Sequence, residues 1–588
     1  VDQREGRIQS AERAVPTFSN IQFSETSFSL IGADSRHTRK ELRMPDRALP
    51  DRPNLEQYKK QAKYLAKDCG LGVAGALARL RKHHPRFSEA GEELREPRVA
   101  LTDAQLVIAR EHGFESWPKF AAHITTLNLQ RSVASLDDPV AAFIRAACVP
   151  RNDSHISGTL EEAELILARF PHVAQANIYT AAIRADEAAV RSFLANDAAS
   201  ATSSGGPYGW DALTHLCFSR YLRIDRARSD AFVRTARALL DAGASTNTGW
   251  YEMIDHPIPR PVLESAIYGA AGIAQHEGVT RLLLEYGADP NDEETPYHAA
   301  EGYDHAVLKA LLESGKLNST SMTTLLLRKG DWHDTEGIRL VLEHGADPNA
   351  MAFWKNSALH HAVLRDNRLA NIALLLDHGG DPSLKNLHNG KSATSIAARR
   401  GRGDVLRLLA ERGFDPKLEG AERLIAACAM ADDAAIGAIV EAEPLTVAEL
   451  LRQGGTLLTE FAGNGNTEGV RRLLDLGVDS RAHHGEGDIY WDATKNSTAL
   501  HNAAWRAWPA IVKLLIERGT PVNALDGKGR TALALAVKAC VDSYWKDRRT
   551  PESVEALLNA GASVEGIDIP CGYDEVDELL LKAKNAGT

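Results

Sequence analysis

The sequence predicts an all-α solenoid of helix pairs with extended finger loops, preceded by a small helical module. Two observations carry that prediction. The first is a recurring phrase: two or three leucines, a short polar step, a glycine, then Ala-Asp-Pro-Asn or a variant. It reads LLDAGASTN at 239–247, LLLEYGADPN at 282–291, LVLEHGADPN at 340–349, LLLDHGGDPS at 374–383 and LLIERGTPVN at 514–523, with further copies at 408–416, 473–480 and 557–564. The leucines form the buried stripe of a helix. The glycine takes the left-handed conformation that ends it, and the Asp-Pro-Asn turn prevents its resumption. One short helix cannot bury its own apolar face, so each needs a neighbour like itself. The second observation is spacing. Gly345, Gly379 and Gly413 stand 34 residues apart. Wider gaps hold weaker copies: LLESGKLN, with Gly315, and AIVEAEPLTV at 438–447, which has lost its glycine.

A second phrase accompanies the first. It stands as TPYHAA at 295–300, SALHHA at 357–362 and TALHNA at 498–503, with eroded forms SATSIA at 392–397 and TALALA at 531–536. With a period near 33, these motifs resemble the ankyrin-repeat family, whose T-P-L-H-x-A opens the first helix of each repeat. The resemblance covers about three quarters of the chain. It implies that first helices and fingers line a concave side. It also implies that His298, His360 and His501 make structural backbone hydrogen bonds between repeats. His344 and His378 precede capping glycines and suit the negative end of a helix.

A length of 588 residues fits one repeat array, because a solenoid lengthens without enlarging a single core. The net charge of -11 argues against a general nucleic-acid binder, which needs a basic footprint. No apolar run reaches membrane-spanning length, and the first residues, VDQREGRIQS, lack a signal peptide's apolar core. The six cysteines form no CxxC pair. They read as buried reduced thiols, which predicts a reducing compartment and a cytoplasmic location.

Residues 1–52 are rich in Ser, Thr and scattered charge and predict a disordered tail. Residues 53–127 hold four short helices, at 54–68, up to 84, at 102–114 and at 116–127. This module resembles the helical leader that precedes ankyrin repeats in some bacterial proteins, implying a bacterial origin and no activity of its own. His83 and His84 lack identifiable partner ligands and read as surface histidines. The solenoid is expected over 138–568 in about twelve units, several degenerate, and residues 569–588 as its C-terminal capping helix.

No P-loop, dinucleotide fingerprint, nucleophile elbow or zincin motif is present. The GKGRT at 527–531 falls where a finger belongs, without a preceding strand. The informative departures are three long fingers, each with adjacent aromatics. One holds Trp250, Tyr251, Asp255 and His256. The next holds Phe353, Trp354 and Lys355. The third holds His483, His484, Glu486, Asp488, Tyr490, Trp491 and Asp492. Turns do not require tryptophan, and exposed Trp and Tyr serve as binding anchors. The other reading is that these rings fold back on adjoining helix ends. The donors His483, His484, Glu486 and Asp488 lack the fixed spacing of a metal site.

These features predict a non-enzymatic scaffold that binds a protein or peptide partner on its concave, finger-lined face, with no catalytic residue, metal or cofactor. Trp250, Tyr251, Asp255, His256, Phe353, Trp354, Lys355, Asp488, Tyr490, Trp491 and Asp492 are the expected partner-binding residues. The aromatics would be exposed anchors, and the acids would select a basic-leaning surface. Nucleic acid and membrane are not expected partners; oligomeric state is open. The alternative is a small-molecule or metal site, with possible catalysis, closed over by the long fingers.

Overall fold

The computed structural model describes residues 46–50, 52–88, 99–150, 154–254, 259–351, 354–414, 417–543 and 545–586. The chain divides into two compact units between Ala244 and Ser245. Residues 1–45, where most of the predicted disordered tail falls, lie outside the described residues.

The first unit opens with helices Leu55–Gly70, Ala74–His83, Leu101–Glu111 and Trp117–Ala134. Asn54 caps the first, its Oδ1 accepting from the Glu56 and Gln57 amides at 2.9 and 3.2 Å. Tyr58, Leu65, Leu80, Val107, Phe120 and Ile124 form one buried cluster, with Tyr58 edge-on to Phe120 at 5.0 Å. Packing starts ahead of residue 53. Leu49 lies against this cluster, and the Arg47 amide donates to the Glu111 carbonyl at 3.0 Å. His83 and His84 are not surface histidines. Both are 8% exposed, and their Nε2 atoms meet Asp46 and Asp103 at 3.0 Å. The carboxylates that occupy them lie in distant segments, which local spacing could not reveal. Helix pairs follow: Pro139–Ala147 with Glu161–Arg169, Ile178–Ile183 with Glu187–Asn196, and Ala212–Cys217 with Ser229–Asp241. Between the helices of the last pair the Ser219 side chain caps a further short helix, Arg220–Ile224.

The second unit continues the pairs. Among the described residues they run from Ala266–Tyr268, prolonged by Gly269–Ile273, with Glu277–Glu285 to Ala532–Val541 with Glu552–Asn559, and end at helix Asp574–Ala586. One apolar core is continuous from Ala300 to Leu580. The phrase works as its chemistry demands. Gly345, Gly379 and Gly519 have φ of 91°, 87° and 78°. After Gly379 closes helix Leu369–Asp377, its amide donates to Leu376 and that of Gly380 to Leu375. The asparagine does more than turn the chain. The Asn349 side chain donates to the Gly379 carbonyl and accepts from the Asp381 amide, each at 2.8 Å, tying one repeat to the next. Asn291 and Asn523 repeat the clamp. Where the glycine is lost the pattern slips. Helix Asp433–Ala442 ends at Glu443, Pro444 follows, and an extra helix, Leu445–Arg452, is inserted.

The free thiols of Cys69, Cys148, Cys217, Cys428 and Cys540 are buried and that of Cys571 half-buried. Among the described residues no helix is long and apolar enough to cross a membrane.

Candidate functional site

The first long finger is a hairpin, a departure from the all-α pattern. Gly249–Ile254 pairs antiparallel with Arg260–Ser265, Trp250 opposite Glu264. Alternation along the strand sorts its side chains. Trp250 is buried, whereas Tyr251 and Met253 are 64% and 59% exposed. The exposed ring of this finger is therefore Tyr251, not Trp250. Asp255 and His256 lie outside the described residues.

The second finger also turns inward. Trp354 is half-buried against the core and stacks on Tyr297 at 6.1 Å between centroids. Lys355 is exposed with φ 57°, and its carbonyl accepts from the Leu387 amide of the next finger at 2.9 Å. Phe353 lies outside the described residues.

The third finger reaches furthest. Trp491 is buried, 5.7 Å from Trp545, and its Nε1 donates to the Leu364 carbonyl at 3.3 Å. The Trp505 indole donates to the Trp491 carbonyl and the Trp545 indole to the Trp505 carbonyl, each at 2.8 Å. Arg506 lies over the Trp491 ring at 4.2 Å and Arg365 over Tyr490 at 3.7 Å. Trp491 is thus a packing residue, because its ring completes a tryptophan cluster.

Beneath this finger several turns between paired helices converge. Asp366 accepts from Arg400 at 3.3 Å and from Arg506 at 2.6 Å. Arg400 Nη1 also lies 3.0 Å from Glu460 and 3.3 Å from Asp488. His484, itself buried, meets Glu460 at 3.2 Å. Asn464 donates to the Arg400 carbonyl at 2.9 Å. Burial alone would raise the Asp366 pKa, but the two guanidinium groups outweigh it and hold the carboxyl low. Glu460 is likewise held low against burial by Arg400 and His484. Asp488 goes the other way: burial and the neighbouring Glu460 charge push it up. At the finger's far side Asp492 is gripped by Lys528 at 2.5 Å, Arg530 at 2.6 Å and Lys538 at 3.3 Å. These cations overcome burial and bring its pKa down to about 2.

A related ladder runs along earlier first helices. Asp331 binds Arg328 at 2.7 Å, His361 at 2.8 Å and Arg365 at 2.9 Å. Arg328 also reaches Glu301 at 2.8 Å. An open hollow of about 310 Å³ between Asp433 and Arg472 is lined by none of the finger residues.

The family model described as "Ankyrin repeats (3 copies)" matches residues 326–420 and 460–568. These two stretches are ankyrin repeats. The gap between the two matches holds the pair that lost its glycine and the inserted helix. A putative ankyrin repeat protein of Rickettsia bellii is similar at 31% identity over 18% of this chain and 48% of its own. Diacylglycerol kinase iota of Rattus norvegicus is similar at 28% over 18% of this chain and 11% of its own. Serine/threonine-protein kinase 12 of Arabidopsis thaliana is similar at 34% over 14% of this chain and 16% of its own. The chain thus spans about half, or less, of the length of the curated relatives it matches. The human ASB11 ankyrin repeat domain is similar at 18% identity and a TM-score of 0.21, over 44% of this chain and 96% of that one.

The ankyrin histidines divide. His360 meets the Ser357 hydroxyl at 2.7 Å and donates from Nε2 to the Lys391 carbonyl at 3.1 Å. His501 does the same with Thr498 and the Ala524 carbonyl. His298 departs from the family role. It lies between Glu294 at 3.1 Å and Glu301 at 3.2 Å. Burial alone would lower its pKa; the two carboxylates outweigh that and lift it to about 9. His344 and His378 each donate to the carbonyl four residues back, closing a helix end.

Sequence reasoning missed Arg365, Asp366, Arg400, Glu460 and Arg506. A left-handed residue where two helices meet, as Asp366 is with φ 52°, leaves no motif. The one available signal was charge at successive positions between paired helices: Arg365-Asp366, Arg400, Arg402 and Arg506.

Proposed function

We propose that the chain is a non-enzymatic, cytoplasmic scaffold whose finger-lined face holds a protein or peptide partner. Ankyrin repeats are generally protein–protein interaction modules, and the match to a Rickettsia protein fits a bacterial source. One observation carries the reading further. The acids and aromatics of the longest finger are spent on the chain's own Arg400, Arg365, Arg530 and tryptophan cluster, while apolar tips stay in water. Tyr251, Met253, Leu387 and Ile489 are 64%, 59%, 67% and 87% exposed. Asp488 and Asp492, expected to choose a basic partner, are paired with the chain's own cations. Scattered exposed apolar residues are ordinary, but these stand on fingers, where the family's contacts are made.

The test is capture by the full chain, comparing wild type with a Tyr251→Ala, Leu387→Ser, Ile489→Ser triple variant of unchanged melting temperature. A partner retained by the first and lost by the second supports the reading. Identical recovery from both contradicts it.

A second reading rests on Glu460 and Asp488. Their pKa values move in opposite directions beside one guanidinium, the environment that separates an acid from a base. A small molecule that raises the melting temperature of the wild type and not of Glu460→Gln would favour it.

A further inference from the structure

The segment 488–493 is a closed frame with one side chain outside it. The Asp488 and Ala493 backbones exchange two hydrogen bonds, at 2.7 and 2.9 Å, and the Asp492 amide donates to the Ile489 carbonyl at 3.2 Å. Asp488 Oδ1 accepts from the Tyr490 amide at 3.1 Å. Every neighbour of Ile489 is fastened inward: Asp488 to Arg400, Tyr490 under Arg365, Trp491 in the tryptophan cluster and Asp492 in its cationic grip. Ile489 alone points out, at 87% the most exposed large apolar side chain among the described residues.

The frame gives that exposure meaning. A free loop would turn its isoleucine inward; this one cannot, since the positions either side are committed. A side chain held out in advance has little conformational freedom left to lose on binding. Cations gather at the Asp492 end of the frame. Lys528 and Lys538 are 58% and 44% exposed at their side chains, and with Arg530 they share the carboxylates of Asp492 and Asp526. Lys495 is also exposed, and Glu486 is the exposed acid of the loop.

We propose that Ile489 is a presented anchor that enters an apolar pocket bordered by carboxylates on a protein partner. This rests on the interaction reading above and adds the contact point and the chemistry of the partner surface. A single isoleucine suits a pocket, whereas holding a membrane needs a larger apolar face.

The test places a photo-crosslinking benzophenone side chain at position 489, and separately at 251 and 387, in the full chain within its host cell. One discrete adduct is expected at 489. The captured protein, purified, should bind the full chain at least tenfold more weakly when Ile489→Asp or Lys495→Glu is introduced, at unchanged melting temperature. Adducts at 251 or 387 with none at 489, or full affinity of Ile489→Asp, overturn this inference and leave the interaction reading standing. No adduct at any position overturns both. An adduct between two copies of the chain, or Ile489-dependent sedimentation with phosphatidylserine vesicles, makes the occupant a second copy or a membrane and overturns the proposal.

Discussion

Asp366 and Arg506 lie 140 positions apart in sequence, and their carboxylate and guanidinium meet at 2.6 Å. Arg400 holds the other side of the same carboxylate. Removing one partner of a buried ionic set strands the rest, at a cost of about 3 kcal/mol or more. Asp366→Asn keeps a residue that tolerates positive φ while deleting the charge. It should lower the unfolding free energy of the second unit by about that much in urea titration. An unchanged midpoint would mean the pairing contributes nothing.

Truncation after Gly413 tests whether this array is coupled beyond neighbours. In a simple solenoid stability is a sum of nearest-neighbour terms, and the repeats before the cut would keep their stability. Here Arg365, Asp366 and Arg400 lose Tyr490, Arg506, Glu460 and Asp488. The fragment should keep helical circular dichroism but melt well below the full chain. Equal melting temperatures would restore the simple solenoid.

Trp491 and Tyr251 should behave oppositely. Trp491→Ala opens a hole in a cluster of Trp505, Trp545, Leu535 and Ala539, costing about 3–5 kcal/mol. Tyr251→Ala removes a ring that is 64% exposed and should shift stability within about 0.5 kcal/mol. Thermal melts of the two variants decide the matter, and a larger loss for Tyr251→Ala would reverse the assignment.

Two groups set limbs of the pH–stability profile. His298 has a raised folded-state pKa of about 9. Its contribution is fully present below the ordinary histidine value of about 6.5 and is lost as pH rises through about 9. Asp492 has a depressed folded-state pKa of about 2. Its contribution is present above the ordinary carboxylate value of about 3.9 and is lost as pH falls toward about 2. His298→Gln should flatten the alkaline limb alone, and Asp492→Asn the acid limb alone. Denaturant midpoints across pH would show the reverse pattern if the partners were misassigned.

The repeats were legible because leucine stripe, glycine and Asp-Pro-Asn each act within a few residues of themselves. Gly379 ends its helix through its own φ, and Asn349 needs only the next repeat. The hairpin at Trp250 was not legible as strands, although its alternation of buried and exposed residues was present in the letters. The site was legible only as a place. The three fingers stood out by their aromatics, but whether a ring faces in or out depends on what arrives from elsewhere. Trp491 faces in because Trp505, Trp545 and the Leu364 carbonyl receive it. Asp488 and Asp492 looked free because Arg400 and Lys538 are 88 and 46 residues away.

The long finger is packed onto the array rather than waving above it. Residue-resolved hydrogen exchange of the full chain tests it most directly. The amides of His484, Asp488 and Ala493, bonded to Ser497, Ala493 and Asp488, should exchange at least a hundredfold more slowly than an unstructured peptide. That protection should fall in Arg400→Ala, which releases Asp488 and Glu460. Exchange of all three amides at unstructured rates in the wild type would contradict the account.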